Sequence, residues 1–250
     1  MKDNRFKSFA GLMFMGGFLF ISSCRPEPLE VDFSFIIDSY SLSVPEPSGL
    51  AYSVDKESFF VVSDRGKLYQ ISLTGTIIRE LPYIGNDTEG VTVDPVTANI
   101  YVCEEGRGDL VKLNSSGVMI DSYNLLDNPG NSGLEGLTYN IELNEFYLLK
   151  EKDDGILIKY SVEDDLTTII NLNFSSDYSG IFYNESSRKL WIVSEEERTL
   201  TQCNLNGSVI KSYSFPINGI EGIVVNDDET VAYVVSDPNS KLYKLDLTIN

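Results

Sequence analysis

Three glutamates, Glu89, Glu135 and Glu221, each stand directly before a glycine that opens a short apolar run. In two further runs a serine takes that place, Ser48 before Gly49 and Ser179 before Gly180. Fifteen residues beyond every one of these five glycines comes another carboxylate: Asp64, Glu105, Glu151, Glu195 and Asp237. Asp87 and Asp177 lie two residues ahead of Glu89 and Ser179. Carboxylates gathered in this number repel. Two charges about 6 Å apart cost roughly 3 kcal/mol at an effective dielectric of about 20. Such a set must hold protons, pair with lysine or arginine, or bind a cation. The chain has no histidine and only three cysteines. Its donors are therefore hard oxygens, which select Ca2+ ahead of Mg2+ and make a structural zinc site untenable.

The absence of histidine also removes Ser–His and Cys–His nucleophiles. No phosphate loop or dinucleotide fingerprint occurs. Arg107-Gly108-Asp109 and Lys152-Asp153-Asp154-Gly155 read as turns, the second lacking the length and final glutamate of a calcium loop. Any metal-dependent hydrolase chemistry would have to take its base from a carboxylate such as Glu89 or Glu135.

Repeated elements must position these groups. The five glycines, Gly49, Gly90, Gly136, Gly180 and Gly222, are 41, 46, 44 and 42 residues apart, the spacing of propeller blades. After each glycine come an apolar strand, a turn rich in Asp, Asn, Glu or Ser, and a second apolar strand. Third strands such as Lys67 to Leu73 and Lys241 to Leu247 follow, and turns such as Thr74-Gly75 and Asn206-Gly207 lead to fourth strands. An aromatic stands eleven residues after every glycine: Phe60, Tyr101, Tyr147, Trp191 and Tyr233. This column is expected to pack blade against blade.

The fifth repeat stops after three strands. Its fourth is expected from the segment before the first repeat, because Phe35 to Leu42 matches the fourth strands Val118 to Leu125 and Val209 to Phe215. The expected fold is all-β: a five-bladed β-propeller of four-stranded blades, with the N-terminal strand closing the C-terminal blade. Antiparallel pairing then places the start of each inner strand and the end of each second strand on one face. That face carries an inner ring of Ser48, Glu89, Glu135, Ser179 and Glu221 inside an outer ring of Asp64, Glu105, Glu151, Glu195 and Asp237.

Net charge is −19, with 38 acidic and 19 basic residues. Such a surface repels nucleic-acid phosphates and anionic membrane faces, so nucleic acid is not an expected partner. Lys2, Arg5 and Lys7 precede an apolar run from Phe9 to Ile21, and Ile21-Ser22-Ser23-Cys24 resembles a bacterial lipobox. Residues 1–23 read as a lipoprotein signal peptide, Cys24 as the lipid attachment site, 24–30 as a proline-bearing tether and 31–250 as the propeller. The lipid is the expected membrane contact. Arg25 after the cysteine, by resemblance to known sorting rules, favours the outer membrane of the cell envelope. Cys103 and Cys203 fall in different repeats and read as separate apolar fillers rather than a disulfide.

The runs Pro45-Glu46-Pro47-Ser48-Gly49-Leu50, Asp87-Thr88-Glu89-Gly90-Val91, Leu134-Glu135-Gly136-Leu137 and Ile220-Glu221-Gly222-Ile223 resemble the SdiA-regulated family. Val62-Ser63-Asp64 and Val235-Ser236-Asp237-Pro238-Asn239 add to the likeness. This family is a bacterial group of five-bladed propellers distantly similar to NHL repeats. The resemblance implies a calcium site on the propeller and no established catalytic activity. Glu89, Glu135 and Glu221 match the family's Glu-Gly motif, whereas Ser48 and Ser179 break strict five-fold symmetry. The candidate ligands are Glu89, Glu135, Glu221, Asp87, Asp177, Glu105, Glu151 and Glu195. The expected function is a calcium-binding, monomeric propeller lipoprotein that offers its acidic face to a protein or small ligand. The alternative is a calcium-dependent hydrolase of lactonase or esterase type.

Overall fold

Short runs rich in Val, Ile, Leu, Phe and Tyr, cut by Asp, Asn and Gly turns, pair as hairpins, and among the described residues they leave no room for helices. The computed structural model describes residues 34–127, 129, 132–150 and 155–249. Residues 1–33, with Cys24 and the expected leader and tether, lie outside the described residues, as do Glu151 and residues 152–154. Everything described falls within the unit Asp32–Asn250.

Strand β1 (Ile36–Ser41) comes first. Blade 1 is β2 (Pro47–Tyr52), β3 (Ser58–Ser63), β4 (Lys67–Ser72) and β5 (Ile77–Ile84). Blade 2 is β6 (Thr88–Val93), β7 (Ile100–Glu104), β8 (Asp109–Leu113) and β9 (Met119–Asn124). Blade 3 is β10 (Leu134–Asn140), β11 (Glu145–Lys150), β12 (Ile156–Ser161) and β13 (Leu166–Asn171). Blade 4 is β14 (Gly180–Asn184), β15 (Lys189–Ser194), β16 (Thr199–Cys203) and β17 (Val209–Ser214). Blade 5 is β18 (Ile220–Val225), β19 (Val231–Ser236) and β20 (Lys241–Asp246), completed by β1 in the order β1-β20-β19-β18. The closure expected of the N-terminal segment is therefore found, with the strand itself confined to Ile36–Ser41.

Burial explains the apolar pattern. Second strands such as β3 and β7 are buried along their whole length, because both faces of a blade are covered by its neighbours. Outer strands such as β9 and β13 are largely exposed. The buried side chains fall into five clusters, one at each blade-to-blade interface. The aromatic column supplies one member to each: Phe60 between blades 1 and 2, Tyr101 between 2 and 3, Tyr147 between 3 and 4, and Trp191 between 4 and 5. Tyr233, half-buried, packs on the fifth, between blades 5 and 1. Cys103 and Cys203 are free and buried in different clusters, as expected of apolar fillers.

The motif glycines have a steric reason. A Cβ on Gly90 would stand 2.6 Å from the Leu137 backbone nitrogen, and one on Gly222 would stand 2.5 Å from that of Leu50. Inner strands converge at the axis, and only glycine lets their backbones approach this closely.

Candidate metal centre on the acidic face

Four of the five inner strands carry a bulge at the motif, between Pro47 and Leu50, Thr88 and Gly90, Leu134 and Leu137, and Ile220 and Ile223. A bulge breaks the alternation of side chains and re-aims one of them. In blade 2 the turn into the strand is made by Asp87 at φ 59. Its carbonyl accepts the Glu105 N–H at 2.8 Å, which locks the start of β6 to the end of β7. Carboxylate oxygens of Asp87, Glu89 and Glu105 consequently lie within 4.8 Å of one another.

Neighbouring blades hold this arrangement. Ser48 Oγ donates to the Thr88 carbonyl at 2.7 Å, and Thr88 Oγ1 donates to the Ser63 carbonyl at 2.7 Å, so blade 1 grips the residue before Glu89 from two sides. From blade 3, the Gly133 N–H reaches Glu105 Oε1 at 3.4 Å. The serine that replaces glutamate in blade 4 repeats the first contact: Ser179 Oγ donates to the Ile220 carbonyl at 2.9 Å, just before Glu221. Both serines of the inner ring are therefore latches between blades.

The electrostatic consequence centres on Glu89. Burial, followed by the charges of Asp64, Glu135, Asp87 and Glu221, pushes its carboxyl up to about 10. Asp64, at the mouth and still reached by solvent, is pushed up to about 6 by desolvation, against the hydrogen bond from its own amide. Below the mouth the axis is pinched by the glycines to about 10 Å³, the scale of a single water.

The eight expected ligands are thus not equivalent. Asp87, Glu89 and Glu105 come together, and Glu135 and Glu221 stand near enough to act on Glu89 through charge. Asp177 is buried and its carboxylate accepts the Glu195 and Glu196 N–H groups at 2.6 and 3.0 Å, with the Ser194 hydroxyl also donating to it. It closes the turn after β15, and Glu195 serves that turn through its backbone.

Glu104 is a buried carboxylate that the repeat columns do not single out. It accepts the Tyr83 hydroxyl at 2.5 Å, the Asn86 N–H at 3.1 Å and the Arg107 guanidinium at 3.0 Å. Its register position holds serine in blades 1, 4 and 5, namely Ser63, Ser194 and Ser236. That departure from the column is the one signal in the sequence that marks it. Arg107 is thereby paired with Glu104, and at blade 1 Arg65 makes a two-point bridge to Glu46.

Five closed four-stranded blades with an acidic rim define a β-propeller scaffold or binding module. The model of the SdiA-regulated family matches residues 31–246. The chain belongs to that family. A solved structure titled "Streptogramin B lyase structure" is similar over 84% of this chain and 72% of that chain, with 19% identity and a TM-score of 0.51. At that identity the likeness is one of propeller fold.

Proposed function

We propose that the acidic face binds Ca2+ and that the domain serves as a binding or scaffold module at the cell envelope. The observation that carries this reading is the grouping of Asp87, Glu89 and Glu105 oxygens within 4.8 Å of one another. Calcium–oxygen distances are about 2.3–2.6 Å, so two ligands of one ion lie no more than about 5 Å apart. The donor set fits: all three are hard carboxylate oxygens, and Glu135 and Glu221 add negative charge. Asp87, Glu89 and Glu105 would hold the ion. Its charge would offset the repulsion among the carboxylates and tie β6 to β7 where blades 1 and 3 already clamp them.

Calcium titration of the full chain by calorimetry, with a parallel thermal melt, tests this. Heat and a raised Tm are expected, both lost in Glu89→Gln and Glu105→Gln. A calcium-independent melt with no heat would end the metal reading. The hydrolase alternative has its own outcome: calcium-dependent turnover of a lactone or ester panel, abolished by Glu135→Gln, would displace the scaffold reading.

The envelope location rests on the basic start, apolar run and lipobox-like Ile21-Ser22-Ser23-Cys24. Incorporation of labelled fatty acid into the protein, lost in Cys24→Ser, is the expected result. Equal labelling of both proteins would remove the anchor from the proposal.

A further inference from the structure

The face opposite the acidic rim carries a separate cavity of about 100 Å³, formed by the far ends of the inner strands of blades 1 to 4 and the β18–β19 turn of blade 5. Four aromatic residues line it: Tyr52, Tyr139, Phe182 and Tyr183. They come from three blades because the position three residues after the motif glycine, at or near the end of each inner strand, is tyrosine in blades 1, 3 and 4. Phe182 meets Tyr52 edge-on, with centroids 6.3 Å apart, where both pack against the cluster between blades 5 and 1. The floor is apolar, with Leu50, Val91, Leu137 and Ile181, and beneath it the motif glycines leave a space of only about 10 Å³ beside Glu89.

An ammonium already stands at the mouth. Lys56 Nζ lies 5.9 Å from the centroid of the Tyr52 ring and is paired with Asp227 across the gap between blades 1 and 5. Lys56 belongs to a turn, at φ 58, and about half of its side chain is exposed. It differs in this from Lys112, Lys159 and Lys244, which cover Tyr101, Tyr147 and Tyr233 as fixed cross-strand partners within their blades. Among the described residues no lysine or arginine is stacked on Tyr139, Phe182 or Tyr183. Glu185 and Asp227 put carboxylates on the lining.

We propose that this cup binds a small organic cation of the alkylated-ammonium class, seated on Tyr52 and Phe182 with Glu185 and Asp227 as counter-charges, in competition with Lys56. Aromatic faces attract cations electrostatically, and the attraction grows where water is excluded. A methylated ammonium has little hydration to lose, and its methyl groups bury against the apolar floor. The strongly acidic surface raises the local concentration of any cation. A neutral ligand of equal shape keeps the burial but lacks the attraction of the rings and the enrichment at the acidic surface.

Calorimetry on the full chain with choline chloride, against sodium chloride and the uncharged isostere 3,3-dimethylbutanol, tests the proposal. Choline is expected to bind with saturable heat at millimolar concentration or below, and the isostere about tenfold more weakly or not at all. Tyr52→Leu should weaken choline about tenfold. Lys56→Gln, a change at an exposed turn, should tighten it severalfold by removing the resident ammonium. Saturating Ca2+ should leave choline affinity unchanged, because the two faces are separate; this arm is independent of whether the acidic face binds metal. Equal binding of the isostere, no response to Lys56→Gln, displacement of choline by Ca2+, or no choline heat in either wild type or Lys56→Gln would each overturn the proposal.

Discussion

Tyr40 on β1 lies directly opposite Leu242 on β20, in a ladder that also pairs Ser39 with Tyr243 and Ser41 with Lys241. The first described strand of the chain thus completes the last blade. Hydrogen bonds from Leu42 N–H to the Ser240 carbonyl and from Asp246 N–H to the Phe35 carbonyl continue the seam at both ends. Without β1, strand β20 is an open edge. Deleting residues 36–41 is expected to abolish the cooperative melt and to produce aggregates on size-exclusion chromatography. A monomeric variant with a wild-type melting transition would refute the seam's structural role.

The glycine contacts separate two kinds of substitution. Gly90→Ala and Gly222→Ala drive a methyl group into backbone atoms of the next blade, at 2.6 and 2.5 Å. Neither backbone can move without shifting an inner strand, so a loss of about 1–3 kcal/mol or more is expected. Gly106→Ala meets only the Asn86 side-chain amide at 2.9 Å, which can rotate away. Chemical denaturation of the three variants should place Gly106→Ala close to wild type.

Trp191 is the only tryptophan in the chain, and it is fully buried between blades 4 and 5. Its Nε1 donates to Glu229 at 3.0 Å, and Gln202 and Ser187 donate to the same carboxylate at 2.7 and 2.6 Å. Glu229→Ala leaves these donors without their acceptor and should cost about 1–3 kcal/mol. Trp191→Ala should cost about 3–5 kcal/mol. Tryptophan emission reads this interface directly: the Glu229→Ala spectrum should shift, while a Glu80→Ala spectrum, far out on blade 1, should not.

Stability of the metal-free protein should fall as pH rises. Unfolded Glu89 loses its proton near the ordinary value of 4.5, whereas the folded protein holds it to about 10. Between these limits the folded state binds the extra proton, so its stabilising effect is complete below pH 4.5 and drains away towards pH 10. The slope is at most about 1.4 kcal/mol per pH unit for one proton. Asp64, raised to about 6, adds to the fall between roughly pH 4 and 6. In EDTA, Glu89→Gln should melt higher than wild type at pH 8–9 and show a flatter pH dependence. A wild-type Tm that climbs from pH 6 to 9 in EDTA would contradict the sign.

How much of this was legible differs by residue. The glycine spacing and the aromatic column from Phe60 to Tyr233 are periodic, and periodicity survives reading one residue at a time. The likeness of Phe35 to Leu42 to other fourth strands likewise points to β1. The bulges did not show, because nothing in Asp87-Thr88-Glu89 says that Asp87 turns with φ 59. Nor did the latching role of Ser48 and Ser179, since a serine hydroxyl that bonds a backbone carbonyl leaves no pattern of partners in the sequence. The cup under Lys56 escaped for the same reason: its rings come from repeats whose Tyr52, Tyr139 and Tyr183 looked like ordinary strand ends.

The amino-acid sequence by itself determined the class of fold, the blade count, the closing strand and the face on which the carboxylates collect. These follow from hydrophobic period, repeat length and antiparallel direction, which are local or additive properties of the chain. Only the tertiary structure decided which carboxylates meet. Asp87, Glu89 and Glu105 converge while Asp177 turns to cap a loop, because the outcome depends on bulges and on contacts between blades. Distances across the axis are set by packing of all five blades together, and no single repeat encodes them.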